Sequence, residues 1–313
     1  MPSSGMSSSQ LSSLAQGFPL KRHRNTFLFP RQKTTKSDAE CPTGDKDGPL
    51  ALVVLNTTAD AESKDLLRQI WARAGLRICA DGGANRLHDS FDADPPGERE
   101  RYVPDMIVGD LDSLRPEVAA FYEGLGTEVK QRPDQDHNDF EKCLIEVEAR
   151  LLSTRTSTTS AAGTVTEEAT AATSTTVVGL GAFGGRFDHE MAAISLLHSY
   201  TSRFDRLVLV GAGNVAFLLL PGRTHVLELD ERFEGPTVGL IPVGGACTSV
   251  TTEGLKWDLN ERSLEFGVLV SSSNEVAAKE VRVTTDAPLV WNAQVKVPKW
   301  IDASSGQEGA TAS

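Results

Sequence analysis

The fold is first indicated by the stretch Pro104-Asp105-Met106-Ile107-Val108-Gly109-Asp110-Leu111-Asp112-Ser113, in which an apolar run ends at a glycine and two aspartates. Alternate side chains of an extended backbone point the same way, so we expect Asp110 and Asp112 to share one small volume. Neighbouring carboxylates repel each other, and a cation between them relieves that repulsion. Oxygen ligands of this kind suit Mg²⁺, although Gly-Asp and Asp-Ser are also ordinary loop dipeptides.

Two further acidic clusters follow predicted strands. Asp81 comes directly after the apolar run at 77–80, and Asp139 ends the acidic stretch 133–139 before a predicted helix. Ligands of open α/β sheets bind beyond the carboxyl ends of the strands, so these side chains are expected along one rim. The candidate catalytic residues are Asp81, Asp110, Asp112 and Asp139.

Length and composition limit the class of protein. The chain has 313 residues, is 39% hydrophobic and carries a formal net charge of −12, which argues against nucleic-acid binding. The four cysteines show no C-x-x-C spacing, which fits a reducing compartment such as the cytoplasm. Since no apolar run is as long as the roughly 18 to 20 residues of a membrane span, no membrane partner is expected.

Hydrophobic periodicity divides the chain into two parts. Strands and helices alternate from Leu50 to about residue 215, which predicts an α/β domain with a mainly parallel sheet over 49–222. Short alternating segments follow, which predict an all-β sandwich over 223–300. We expect a flexible tail over 301–313 because that segment is small and polar.

Two other segments are predicted to lie outside the folded core. Residues 1–48 are Ser-rich, and their first 37 residues hold six Lys/Arg and no acid, so they form a disordered extension or, alternatively, a transit peptide. Residues 153–176 contain 14 Ser/Thr among 24 residues and lack large apolar groups, which predicts a disordered surface insertion.

A glycine-rich stretch, Gly179-Leu180-Gly181-Ala182-Phe183-Gly184, matches the G-x-G-x-x-G pattern of dinucleotide sites. That interpretation is weakened because the pattern does not open the domain and the expected acid does not end a strand. The glycines also allow a close approach to phosphate, and Arg186 offers a fork of donors to its oxygens. An ion pair with Asp188 is the alternative role of Arg186.

Trp257 lies in the apparent hairpin Gly254-Leu255-Lys256-Trp257-Asp258-Leu259 of the β-rich part. Its ordinary role is packing in the core or at an edge. The alternative is a stacking surface for a flat cationic ring, for which tryptophan is the best side chain. The sequence leaves both roles open.

Taken in order, the motifs resemble those of eukaryotic, fungal-like thiamine pyrophosphokinases. The resemblance covers about residues 50 to 297 and is carried by 81–87, 109–113, 134–140, 184–188, 254–259 and 271–274. It implies an ATP-binding α/β domain, a thiamine-binding β-sandwich, and a homodimer with active sites shared between subunits. It also implies that a diphosphoryl group passes from ATP to thiamine with Mg²⁺ as cofactor.

The resemblance also implies roles for individual residues. Asp110, Asp112 and Asp139 match metal-binding positions, with Asp81 beside them among the catalytic acids. The nucleotide and diphosphate positions are matched by Gln135, Arg186, Asp188 and Ser113. The thiamine-facing positions are matched by Trp257, Ser271, Ser273 and Asn274.

Three residues depart from the usual family pattern: Val108 in place of Asn, Asn138 in place of Thr, and His189 in place of Gln. None is a proposed metal ligand, so the departures bear on substrate detail more than on reaction type. Two other classes stay open: a non-catalytic thiamine or nucleotide sensor on the same fold, and a nicotinamide oxidoreductase using the glycine-rich stretch.

Overall fold

A computed structural model describes residues 18–28, 48–57, 61–159 and 173–297. The strands are β1 Leu20–His23, β2 Leu50–Val54, β3 Leu76–Ala80, β4 Met106–Gly109, β5 Glu128–Gln131, β6 Thr173–Leu180, β7 Phe204–Gly211, β8 Asn214–Leu219, β9 Thr224–Glu228, β10 Glu234–Ile241, β11 Cys247–Glu253, β12 Arg262–Leu264, β13 Ser271–Glu275, β14 Glu280–Thr285 and β15 Leu289–Val295. The α-helices are α1 Ala61–Trp71, α2 Gly83–Asp89, α3 Pro116–Gly124, α4 Asp139–Thr159 and α5 Phe187–Ser199.

Ten strands form one mixed sheet in the order β13-β10-β15-β8-β7-β6-β2-β3-β4-β5. The strands from β5 to β7 pair in parallel, whereas β8, β15, β10 and β13 pair antiparallel. The predicted class is confirmed: an α/β part with a mainly parallel sheet is followed by a β-rich part.

Apart from the edge strand β5, the parallel strands are largely buried on both faces, as expected where helices cover each side. In β2, Leu52 and Val54 belong to one apolar core, which also contains residues of α1 and α2. Ala51 and Val53 belong to a second core, which contains residues of α4 and α5. The alternating directions of successive side chains along the strand produce this division.

The order of strands reverses at β2. The chain proceeds from β2 outward through β3, β4 and β5, and then returns to place β6 on the other side of β2. The helices that follow β2 and β6 therefore pack on opposite faces of the sheet, and a crevice opens at the carboxyl ends of these strands.

A second sheet, of order β1-β9-β14-β11-β12, completes the β-rich part. Val250 and Val283 of this sheet share one apolar core with Leu240 and Trp291 of the large sheet, which makes a sandwich of two layers. One layer is thus a continuation, through β8, of the sheet that contains the parallel strands. The periodicity did not predict β8, because its uninterrupted apolar run lacks a strand-like alternation.

The prediction that all of residues 1–48 are disordered is wrong for 18–28. β1 pairs in parallel with β9, and a 3₁₀ turn at Thr26–Leu28 buries Phe27 and Leu28. Two buried polar contacts accompany this packing: His23 Nε2 lies 2.8 Å from His225 Nδ1, and Asn25 Nδ2 donates to Glu234 Oε1 at 2.6 Å. Burial raises the pKa of Glu234 to about 7.

The predicted insertion is also shorter than expected. Residues 153–159 continue helix α4 and residues 173–176 begin strand β6, so both ends of the 153–176 segment belong to regular elements. Residues 160–172 lie outside the described residues, as do most of the N-terminal extension and the tail over 301–313.

None of the described helices is both long enough and apolar enough to cross a membrane.

We predict that Leu28→Ala lowers the free energy of unfolding by about 2 to 4 kcal/mol, because this side chain is only 1% exposed and its removal leaves a cavity. Urea denaturation measures the change. Leu20→Ala is the matched control on the same segment: that side chain is 59% exposed, so the change should stay within about 0.5 kcal/mol. Equal stability of the Leu28 variant and the unsubstituted chain would contradict this packing.

Candidate active site

A cavity of about 370 Å³ lies at the strand reversal. We call it the carboxylate cavity, because Asp81, Asp110 and Asp139 line it. The ends of β3 and β4 and the first turn of α4 supply these three side chains. The loops after β2 and β6 close the opposite side. Aspartates that are far apart in the sequence are therefore brought together by the edge of the sheet.

Asp110 and Asp112 converge through a turn and not through an extended backbone. Strand β4 ends at Gly109, and Leu111 has a φ of +69°, in the left-handed region. The Asp112 amide donates to Asp110 Oδ1 at 3.2 Å. The sequence predicted the convergence correctly, but the extended geometry used to predict it is wrong. A left-handed leucine is strained, and such strain is concentrated at functional sites.

Asp81 is the most buried of the four aspartates, with 2% exposure and a φ of +43°. Its Oδ2 accepts from the Ser113 amide at 3.2 Å, whereas its buried Oδ1 has no hydrogen-bond partner within the described residues. Burial raises the pKa of Asp81, and the charges of Asp139, Asp110 and Asp112 raise it further. The carboxylate is therefore held where its ionised form lacks a counter-charge.

Asp139 lies beside this group and contacts a buried lysine. Lys142, one helical turn later, donates to Asp139 Oδ1 at 3.0 Å, and its Nζ lies 3.9 Å from Asp110 Oδ2. Lys142 is 2% exposed, so its ammonium group is held in place among the carboxylates. The sequence analysis did not identify Lys142, although its i, i+3 spacing from Asp139 on a helix was a usable signal.

Three carboxylates have the geometry of a cation site. Asp81, Asp110 and Asp112 each offer an oxygen, and these oxygens lie within 4.8 Å of one another. Oxygen ligands and the partnerless Asp81 Oδ1 both fit a hard divalent cation. Asp139 lies next to this group, and Gly109 lies between them. A Cβ atom added to Gly109 would be 3.1 Å from Asp139 Oδ1.

Side-chain amides hold the acidic loops in place. Asn85 Nδ2 donates to the Ser113 carbonyl at 2.7 Å, and Asn85 Oδ1 accepts from the Arg115 amide at 3.1 Å. Ser113 Oγ donates to Asp112 Oδ1 at 2.9 Å, and Ser113 itself lines the carboxylate cavity. Asn138 caps α4 by accepting from the Glu141 amide at 2.9 Å, as a Thr also does.

Three of the residues matched to the nucleotide and diphosphate positions, Gln135, Arg186 and Ser113, line the carboxylate cavity. Asp188 is not among its described lining residues. Arg186 donates from Nε to Asp188 Oδ1 at 3.1 Å, and this ion pair lowers the pKa of Asp188. Both side chains are well exposed, so the pair is weak and the guanidinium is accessible to an anionic ligand.

Glu190 is a second residue that the sequence analysis missed. Its Oε1 accepts from the amides of Gly184 and Gly185 at 2.8 and 3.2 Å. The backbone amides that a glycine-rich loop would donate to a phosphate are thus already hydrogen-bonded to a carboxylate of the chain itself. This contact is evidence against the dinucleotide interpretation of that stretch, which requires the amides to be available.

The residues matched to thiamine-facing positions form a separate group on β13 and the loop after β11. The buried Asn274 accepts from the Trp257 amide at 3.2 Å and donates to the Trp257 carbonyl at 2.9 Å. The indole is 54% exposed and lies 4.6 Å from Lys256 Nζ, so core packing is not its role. Ser271 is half-buried, and Ser273 is exposed with a φ of +57°.

These two groups are far apart within one chain. β4 and β13 are separated by eight steps in the sheet order. At about 4.8 Å per step this is roughly 38 Å along the sheet. No residue of the Trp257 group is among the described residues that line the carboxylate cavity of the same chain.

Two family models match the chain. The model described as thiamin pyrophosphokinase, catalytic domain, matches residues 67–209, and the model described as thiamin pyrophosphokinase, vitamin B1 binding domain, matches residues 224–290. Thiamine pyrophosphokinase 1 of Oryza sativa subsp. japonica is 37% identical over 89% of this chain and 98% of its own length. Thiamine pyrophosphokinase 1 of Arabidopsis thaliana is 36% identical over 88% of this chain and 93% of its own.

A solved structure shows the same fold. The crystal structure of yeast thiamin pyrophosphokinase superposes with a TM-score of 0.71 and 26% identity, and the match covers 91% of this chain and 93% of that one. The likeness therefore extends through both the α/β part and the β-rich part.

We predict that Gly109→Ala weakens Mg²⁺ binding, because the new Cβ would lie 2.6 Å from Asp81 Cβ and push the acids apart. The measurement is the rise in melting temperature on adding Mg²⁺ to metal-free protein, which should fall by more than half. Comparing each variant with and without Mg²⁺ removes any effect on basal stability. Gly124→Ala is the control, since its Cβ would meet nothing within 4 Å. An unchanged Mg²⁺ response in the Gly109 variant would contradict the crowding.

Proposed function

The chain belongs to the thiamin pyrophosphokinase family, and from that premise we propose that it transfers the terminal diphosphoryl group of ATP to thiamine. The hydroxyethyl oxygen of thiamine attacks the β-phosphorus, and the bond from that phosphorus to the α-β bridging oxygen breaks. The products are thiamine diphosphate and AMP. The observation that carries the proposal is the group of three carboxylates with Asp139 beside it, facing Arg186 across one cavity.

Mg²⁺ is the cofactor that we propose for this site. Asp81, Asp110 and Asp112 would hold it, and when bound it neutralises charge on the transferred phosphates. Arg186 supports the same reaction from the other side of the cavity, because its planar donors suit a phosphate. Reactions of this kind depend mainly on positioning and charge neutralisation, which these residues supply.

We assign Asp139 as the acceptor of the hydroxyl proton. It lies outside the compact group of three carboxylates but lines the same cavity. Lys142 fixes its Oδ1, so the carboxylate is held in one orientation. A fixed base next to the attacking oxygen is the arrangement that general-base catalysis requires.

A homodimer with shared active sites is the second part of the proposal. Asn274, which is hydrogen-bonded to Trp257, lies on β13, roughly 38 Å along the sheet from β4, and we infer that a thiamine bound there uses the acids of a second copy. Exposed apolar side chains stand near both groups: Phe187 is 72% exposed beside Arg186, and Val268 is 75% exposed near β13. Such residues favour burial in a subunit interface.

The direct test is incubation with ATP, Mg²⁺ and thiamine, followed by chromatographic separation of the nucleotides. We expect AMP and thiamine diphosphate in equal amounts. ADP as the nucleotide product would contradict diphosphoryl transfer, and no consumption of ATP would contradict a kinase.

We predict that Asp112→Asn lowers turnover by at least about 10² to 10³-fold, because it removes a charge from the cation site with almost no change in shape. Circular dichroism and melting temperature check that the fold is intact. Asp92→Asn is the matched control: this aspartate pairs with Arg99 on the surface, outside the carboxylate cavity, and its turnover should be unchanged. Near-normal turnover of the Asp112 variant at saturating Mg²⁺ would refute its assignment.

We also predict that Trp257→Ala raises the thiamine KM about 5- to 30-fold and leaves the ATP KM nearly unchanged, as expected for about 1 to 2 kcal/mol of lost stacking. Heterodimers of Trp257→Ala with Asp112→Asn should recover about half of the normal activity at low thiamine, because one of their two sites has both intact halves. Two different affinity tags isolate these heterodimers. If they are no more active than either parent, the two residues do not serve a shared site.

A further inference from the structure

The turn between strand β6 and helix α5 leads into Arg186, and its shape depends on two glycines. Gly184 has a φ of +88°, in the left-handed region that glycine adopts without strain. Gly185 lies against the loop after β2, where a Cβ atom added to it would be 3.1 Å from Thr57 Oγ1. Arg186 follows as the N-cap residue of α5, with an extended backbone and no capping hydrogen bond from its side chain. The position of its backbone is therefore set by the turn that precedes it.

The ion pair of Arg186 with Asp188 does not hold the guanidinium in place. The two side chains are 70% and 62% exposed, and such pairs contribute little in water. Asp188 also belongs to the first turn of α5, so it moves with the arginine and anchors it to no other element. A fixed position for Arg186 has to come from contacts of the backbone on either side of it.

Glu190 supplies such a contact from the helix. Its Oε1 accepts from the Gly184 amide at 2.8 Å and from the Gly185 amide at 3.2 Å, and hydrogen bonds to an ionised acceptor are stronger than neutral ones. In a capping box, the acid is the third residue of the helix and bonds to the amide of the N-cap residue. Glu190 is the fourth residue and reaches past Arg186 to the two residues before it. The contact thus closes a ring of chain around the arginine.

This contact places a further negative charge in a cavity that is already acidic. Glu190 lines the carboxylate cavity together with Asp81, Asp110 and Asp139, and like charges repel one another and any phosphate. The two amide donors offset part of that cost. A carboxylate that opposes an anionic ligand directly can still favour its binding when it holds a cation in position, and the contacts of Glu190 support that role.

We propose that Glu190 is a positioning residue for the binding of the transferred phosphates, an inference that rests on the proposed function. The carboxylate of Glu190 holds the Gly184-Gly185 turn, and the turn holds the backbone of Arg186. The guanidinium is thereby kept at the wall of the carboxylate cavity, where its planar donors meet the phosphates. Glu190 acts through Arg186 and does not itself contact the substrate.

Two substitutions separate the contact from the charge. Glu190→Asp keeps the charge but is one methylene shorter, so it no longer reaches the amides. Glu190→Gln loses the charge but keeps the length and an oxygen that accepts from both amides. In isothermal titration with Mg²⁺-tripolyphosphate, we expect about fivefold weaker binding by the Asp variant and binding within about twofold of normal by the Gln variant. Glu117→Asp, at a 70% exposed position of α3 outside the cavity, is the control and should leave the affinity unchanged.

A second measurement distinguishes positioning from a general loss of structure. In an Arg186→Met background, Glu190→Asp should change tripolyphosphate binding by less than about twofold, because the arginine through which it acts is absent. A purely structural effect would instead add to that of Arg186→Met, and the same loss would appear in both backgrounds. If Glu190→Asp does not fold, Glu190→Ala also lacks the reach and carries the same expectations.

Equal losses in the two backgrounds would overturn the proposal. Normal binding by Glu190→Asp would overturn it as well, and so would a Gln variant that binds as weakly as the Asp variant. These titrations do not depend on turnover. A failed kinase assay together with the expected coupling between Glu190 and Arg186 would therefore overturn the proposed function and leave the positioning role in polyphosphate binding standing.

Discussion

The pairing of β2 with β3 on one side and with β6 on the other is the constraint on which the site depends. Its hydrogen bonds place Leu50–Val54 between Leu76–Ala80 and Thr176–Leu180, all running in parallel. Because the chain order reverses across β2, the helices after β2 and β6 pack on opposite faces of the sheet. The carboxylate cavity opens at that point, with Leu55 and Gly181 in its wall. A sheet of the same strands without the reversal would offer no such crevice.

Electrostatic repulsion is the second constraint, and the fold opposes it in particular ways. Lys142 brings one buried positive charge to Asp139 and Asp110, and the Ser113 amide donates to Asp81. The strained φ of Leu111 shows that the local backbone is held in an unfavourable conformation by its surroundings. These contacts offset the negative charge of the carboxylates only in part, since Asp81 Oδ1 has no hydrogen-bond partner in the described residues. This uncompensated negative charge is what makes the group suitable for the cation proposed above.

The sequence predicted the features that depend on short-range patterns. Apolar runs located β2, β3 and β4, and the rule for strand ends placed Asp81, Asp110 and Asp139 on one rim. Features that depend on distant pairing were missed, because a parallel partner some 200 residues away leaves no local signal in β1. The left-handed Leu111 was missed for a similar reason: tertiary packing, and not the propensity of leucine, determines its conformation.

The continuity of the large sheet bears on how the two halves of the chain work together. A hinge between domains requires a linker with few contacts, but here β7 pairs with β8 and β8 pairs with β15, so the ladder crosses the junction without a break. Leu209 and Val210 of β7 are fully buried beside Val215 of β8, which stiffens the crossing further. The spacing between the carboxylate cavity and Trp257 is therefore set by a rigid ladder. In the proposed homodimer, closure of a shared site would therefore come from movement of one subunit against another, or of the loops, and not from bending within a chain.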